Sequence, residues 1–537
     1  MFVLAGCGGG GTDTNPTSSN PDPPPASPAP SPPPAAPGQF IVLQLSNSAI
    51  HKYDLDNNAL TSIYTPSAGQ LARGFGAVLS PDGNWVAYTV YDVETNSDDL
   101  YIAATDGTGV TRIPPAPAQS ASALEFVWAP DSSTLAYRAY VAGDGIYLVD
   151  PDGTNHRKIS PEVIDPNDPD VSFSGIKWSP DGRYVAYRES TVDASTRINV
   201  HDMQADDAES MSIEPGSTSS QIGFSAYDWA PDSSRIAYRV TGTGVTELYT
   251  VRPDASDNIK VSVPLVAQGA VIRFEWSSDS SRLLYVADAN IRSVFELYTV
   301  APDGTGTEKI NAPLTAANAR VQAAHWSPDG SRIAYLVYTG TARDFYTARP
   351  DGTDSIKIDV PVNTAVDAVA LAWSPDSSRI AYHLGRDDQR EIHTIRPDGT
   401  DNQKLTGVFT RDTDFQPCIS KGCVDPYSTY FAWSADGSQL AYVSVQDAAS
   451  MELFTVRPQT GEYSKLNNPL AANRSLRYSR YSWSEDATRM AYLADEDGDG
   501  IQDLYVTGSN GAGNTNVSSS ITAVNRSVSS FVWSPQP

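Results

Sequence analysis

From Phe40 onward, short runs of alternating apolar residues are separated by Gly, Pro, Asp and Ser, and the pattern keeps restarting. Period-two alternation bounded by turn residues predicts strands rather than helices. The tryptophans mark the period. Nine of the ten stand at Trp128, Trp178, Trp229, Trp276, Trp326, Trp373, Trp433, Trp483 and Trp533, spaced by 50, 51, 47, 50, 47, 60, 50 and 50 residues. The text around them repeats as WAPDSSTLAY, WSPDGRYVAY, WAPDSSRIAY, WSSDSSRLLY, WSPDGSRIAY, WSPDSSRIAY, WSADGSQLAY and WSEDATRMAY, and an earlier copy, LSPDGNWVAY, has Leu79 in the tryptophan position. A second block follows, seen in ELYTVRPDASDNIKVS, ELYTVAPDGTGTEKIN and DFYTARPDGTDSIKID. Each unit therefore holds four short strands.

The turn chemistry fits hairpins. In Ser-Pro-Asp-Gly, Pro presets φ for a type I turn, Asp bonds the local backbone and Gly accepts a positive φ. The Asp-Gly of the second block makes another hairpin. An Asp that recurs in nearly every unit is structural, not catalytic. Four antiparallel strands per unit, repeated many times, describe an all-β chain folded as a β-propeller, whose blades bury both faces against their neighbours.

The pattern W-S-P-D-G, I-A-Y, L-Y-x-x-x-P-D-G resembles the TolB-type propeller repeat over residues 40–537. The resemblance implies that the Trp segment is the innermost strand of each blade. It also implies a periplasmic binding or scaffold role, or attachment to a peptidase.

The phase of the repeat predicts how the ring closes. FIVLQLSNSAIHKYDLDNNALTSIY matches only the later three strands of a unit, and Phe531-Val532-Trp533-Ser534-Pro535 supplies only the first. One completes the other, giving ten blades. The alternative is two rings, one inserted at residues 407–430, where the Trp spacing reaches 60.

Composition changes the picture at the N-terminus. Residues 1–39 hold 11 of the 39 prolines and no Lys, Arg or His, so residues 8–39 read as an extended linker. Before it, Leu4-Ala5-Gly6-Cys7 fits the lipobox of bacterial lipoproteins, with Cys7 as the acylated residue. A signal peptide needs an apolar core of about 7–15 residues. Only six residues precede Cys7, so residues 1–7 are expected to be a truncated signal. The expected location is the bacterial envelope, with the chain anchored in the outer membrane by lipid and facing the periplasm or the exterior. No stretch reaches the roughly 18 apolar residues of a membrane helix. With 37 basic against 64 acidic residues the net charge is −27, which argues against nucleic acid, a partner that needs clustered cations.

Three sets of residues carry candidate chemistry. The loop Asp495-Glu496-Asp497-Gly498-Asp499-Gly500-Ile501-Gln502-Asp503 spaces hard oxygen donors as Ca²⁺ requires: carboxylates of Asp495, Asp497, Asp499 and Asp503 and the carbonyl of Ile501. It resembles EF-hand, dockerin-like and integrin-type calcium loops but has Val506 where an EF-hand places its last Glu. The competing reading is a solvated acidic hairpin. Cys418 and Cys423 lie in the longest insertion and read as a local disulfide in an exported protein, since zinc sites generally need four ligands. The loop they pin is either a recognition loop or a stabilised insertion. One residue before the tryptophans, four consecutive blades carry Lys177, Asp228, Glu275 and His325. These either line a central channel for a charged ligand or pair across adjacent blades.

Enzymatic signatures are missing. There is no G-x-S-x-G elbow, no stretch left over for a hydrolase domain, and the six histidines form no local metal motif. The expected function is a non-enzymatic, envelope-tethered propeller that binds a protein, peptide or glycan of the cell envelope. The alternative is a polysaccharide lyase or hydrolase with its site in the channel, near Lys177, Glu275 and His325.

Overall fold

The computed structural model describes residues 38–535, less residues 68, 72–76, 95–96, 114–122, 141–143, 162–170, 192–195, 206–209, 214–220, 243, 315–318, 341–342, 359–367, 387–388, 406–408, 411–430, 446–450, 469, 471–475, 477–480 and 523–525. Cys7, Cys418, Cys423 and residues 8–37 of the linker lie outside the described residues. The described strands form ten antiparallel sheets, each the blade that the repeat predicts. Blades are numbered here in ring order from the N-terminus.

Blade 1 joins the two ends of the chain. Its order runs from Ala59–Tyr64 through Ile50–Asp54 and Phe40–Leu45 to Val528–Trp533. Ile41 pairs with Trp533 and Leu43 with Phe531, and the Phe40 amide donates to Ser534 Oγ at 3.1 Å. In blades 3 to 10 the chain runs in strand order from the Trp strand outward, beginning with Ala123–Trp128, Ser172–Trp178, Gln221–Trp229, Val271–Trp276, Arg320–Trp326, Ala368–Trp373, Phe431–Trp433 and Tyr481–Trp483. Blade 2 differs. Its first strand is replaced by two short pieces, Gln70–Leu71 and Val78–Leu79, both paired to Trp85–Asp92.

The core is divided among the blade interfaces. Ten apolar clusters each draw on two neighbouring sheets. One joins Ala491, Leu493 and Leu504 of blade 10 to Ile41, Leu43 and Trp533 of blade 1. Another joins Ala381 and Ile392 of blade 8 to Phe431 and Leu440 of blade 9, across the long insertion. Ten interfaces in one cyclic order make a single ring, and a second ring inserted at 407–430 is excluded.

The tryptophans tie the Trp strands of neighbouring blades together, which puts those strands innermost. Each indole N–H donates to the carbonyl of the residue one before the Trp position in the preceding blade. The bonds run from Trp128 to Val78, Trp178 to Val127, Trp229 to Lys177, Trp276 to Asp228, Trp326 to Glu275, Trp373 to His325, Trp433 to Ala372, Trp483 to Ala432 and Trp533 to Ser482, at 3.0–3.4 Å. Leu79 leaves the seam between blades 1 and 2 without its indole.

The turns behave as their residues dictate. In blade 6 the Ser277 hydroxyl donates to Asp279 Oδ1 at 2.7 Å, and that carboxylate also accepts the Ser281 amide at 3.0 Å. The fourth turn position has positive φ whether it holds Gly83 (73°), Gly182 (72°), Ser132 (64°), Ser233 (64°), Ser280 (60°) or Ser377 (60°). The serines compensate for this backbone strain. Their hydroxyls accept the amides of Asp82, Asp181, Asp232 and Asp329 in the preceding blade, at 2.9–3.0 Å.

Candidate functional site

Strand alternation turns the residue before each Trp toward the next blade at the inner edge of the ring. In blades 4 to 7 these residues are Lys177, Asp228, Glu275 and His325, and in the remaining blades they are small or apolar: Val127, Ala372, Ala432, Ser482, Val532 and Val78. The four charged side chains form two pairs across adjacent blades. Lys177 Nζ lies 2.9 Å from Asp228 Oδ1 and donates to the Tyr227 carbonyl at 3.0 Å. His325 Nδ1 lies 3.1 Å from Glu275 Oε2, while Glu275 Oε1 accepts the Trp326 amide at 3.2 Å. The Lys177 and Asp228 side chains are 42% and 57% exposed, so their attraction is screened and the pair remains open to a competing ligand. Glu275 and His325 are more enclosed, at 35% and 22%. The groups thus pair across adjacent blades while remaining partly exposed.

Sequence reasoning missed Glu125. Its carboxylate accepts the amides of Gly175 and Ile176 in the next blade at 2.8 and 3.1 Å. Gly175, at φ 68°, sits at the register shift in its strand. The Tyr227 hydroxyl, from one blade further on, donates to the carbonyls of Gly175 and Ala186. Burial holds that phenol well above its ordinary pKa. The signal was present three residues before the tryptophans, where Glu125 is aligned with Gly175, Arg273 and Ala323.

The acidic loop brings together three of its expected ligands. Carboxylate oxygens of Asp495, Asp497 and Asp499 lie within 4.8 Å of one another. The loop folds on its own amides: Gly500 N–H donates to Asp495 Oδ2 at 3.1 Å and Ile501 N–H to Asp499 Oδ1 at 2.8 Å. Three convergent carboxylates suit a hard divalent cation. Asp503 is not brought to this cluster. It opens the strand Asp503–Gly508 and accepts from Ser518 Oγ at 2.8 Å, Thr522 Oγ1 at 2.6 Å and Asn516 Nδ2 at 2.8 Å. That is the place of Glu247, Asp344 and Glu391, which meet Lys260, Lys357 and Lys404 on the outer strand of their blades. The DLYV segment was thus legible as the ELYTV repeat, with Asp503 as its structural acid.

No family model and no curated protein sequence matches the chain. Among solved structures, a eukaryotic initiation factor is 12% identical, aligns over 93% of this chain and 98% of its own with a TM-score of 0.51, and so shares the fold. An oligogalacturonate lyase of Vibrio parahaemolyticus is 12% identical over 71% of this chain and 95% of its own, at a TM-score of 0.36. A protein described as a TolB of Agrobacterium tumefaciens is 17% identical over 51% of this chain and 88% of its own, at 0.26.

Proposed function

We propose that this propeller is a non-enzymatic binding protein of the bacterial envelope, taking a protein, peptide or glycan partner at the inner edge of blades 4 to 7 and the adjoining loops. The observation that carries the reading is the row Lys177, Asp228, Glu275 and His325, four charged groups on consecutive blades beside a remainder that is small or apolar. A partner with its own charged groups competes for the exposed Lys177–Asp228 pair at little cost, since such a pair contributes about 0–1 kcal/mol. In the same reading Cys7 carries the lipid that tethers the ring through its linker, and Asp495, Asp497 and Asp499 hold a Ca²⁺ ion that orders one loop of blade 10.

Affinity capture from envelope extract tests it, with the chain from residue 38 onward as bait beside the double variant Asp228→Ala, Glu275→Ala. A partner retained by the wild-type chain and lost by the variant supports the site. Equal retention by both places binding elsewhere and contradicts it.

A further inference from the structure

We propose that the ring opens at one place, the seam between blades 1 and 2, while the other nine interfaces stay shut. Two independent departures from the repeat meet there. The first is Leu79, which removes the indole hydrogen bond that ties each of the other nine interfaces. The second is Val110. Four residues after the Asp of the outer hairpin, blades 3, 5, 7 and 8 carry His156, Asn258, Ser355 and Asn402. Each of these bonds the hydroxyl of the buried tyrosine of its own blade: Tyr137 at 2.6 Å, Tyr238 at 2.7 Å, Tyr335 at 3.2 Å and Tyr382 at 2.7 Å.

Blade 2 has Val110 at this position, 47% exposed, and the Tyr88 hydroxyl is left buried with no hydrogen-bond partner among the described residues. Tyr88 lies in the cluster that joins blade 1 to blade 2, its ring 5.1 Å from Tyr64 of blade 1 and 5.7 Å from Tyr101 of its own blade. A buried polar group without a partner disfavours the closed interface, because opening returns the hydroxyl to water.

Hydrogen exchange of the full chain, read by mass spectrometry, tests the proposal. Amides of Ile50–Asp54 and Trp85–Asp92, on either side of the seam, should exchange faster than those of Leu283–Ala287 in blade 6. Val110→Asn supplies the missing partner from an exposed position and should slow exchange by about ten-fold in both seam strands, with blade 6 unchanged. Slowing in blade 1, which does not contain residue 110, separates seam closure from a local effect on blade 2. Leu79→Trp should act in the same direction. Equal protection of seam and blade 6 strands, or seam exchange rates untouched by Val110→Asn, overturns the proposal.

Discussion

At the scale of single residues, bonds that cross between blades add to the burial that holds the ring. Trp276 illustrates this: it is 8% exposed, sits in the cluster between blades 5 and 6, and donates to the Asp228 carbonyl. Trp276→Phe keeps most of the apolar contact and loses the bond, so urea denaturation should show a loss of about 1 kcal/mol, whereas Trp276→Ala should cost about 3–5 kcal/mol. Ser280 separates strain from bonding. Its φ of 60° disfavours any residue but glycine, and its hydroxyl accepts the Asp232 amide. Ser280→Ala keeps the strain and loses the bond, so it should destabilise by about 1 kcal/mol. Ser280→Gly loses the bond but relieves the strain, and should fall closer to wild type. Equal losses for the two would show that the backbone at this position is unstrained.

At the scale of elements, the Asp turns couple stability to pH. The Ser277 hydroxyl and then the Ser281 amide hold the Asp279 carboxyl below its ordinary value of 3.8. The corresponding turn residues Asp329, Asp376, Asp436 and Asp486 are lowered too, with hydrogen bonds from serine and backbone outweighing burial. A depressed carboxyl contributes stability that is fully present above the unfolded-state pKa and is lost as pH falls through the folded one. Thermal melts should therefore be flat above about pH 5 with respect to these turns and fall steeply below about pH 4. Asp279→Asn should lower the plateau and flatten part of the fall. The loop of blade 10 gives a second element-scale test: melting in EDTA against added Ca²⁺ should show a shift that Asp497→Ala and Asp499→Ala both remove. A wild-type chain with no shift and no calorimetric heat would rule out the ion.

The same scale explains what sequence reading reached and what it missed. Strand, turn and blade were legible because each has a local signature: alternation, Pro-Asp-Gly and the Trp period. The structural role of the turn Asp residues was legible from their recurrence. Glu125 and the serine bonds between blades were not, because their partners lie about one blade away, and the Tyr88 hydroxyl was not, because the residue that would satisfy it sits in a different strand; only comparison of aligned blades exposes them. Asp503 was drawn into a calcium pattern because a carboxylate of the repeat happens to fall at the spacing of a loop ligand.

At the scale of the whole molecule, the closure of blade 1 by Val528–Trp533 makes the ring depend on the last segment of the chain. Removing residues 528–537 should strip blade 1 of its innermost strand, expose Ile41 and Leu43, and abolish cooperative unfolding as seen by circular dichroism. The outward sign should be dye binding to apolar surface. At the position one before the Trp, the row Lys177, Asp228, Glu275 and His325 puts charge on four consecutive blades, 4 to 7, and the proposed binding role rests there. The most direct test is turnover against a panel of acidic polysaccharides and peptides. A binding propeller leaves every substrate intact; turnover that disappears in His325→Ala would contradict that role and make the Glu275–His325 pair catalytic.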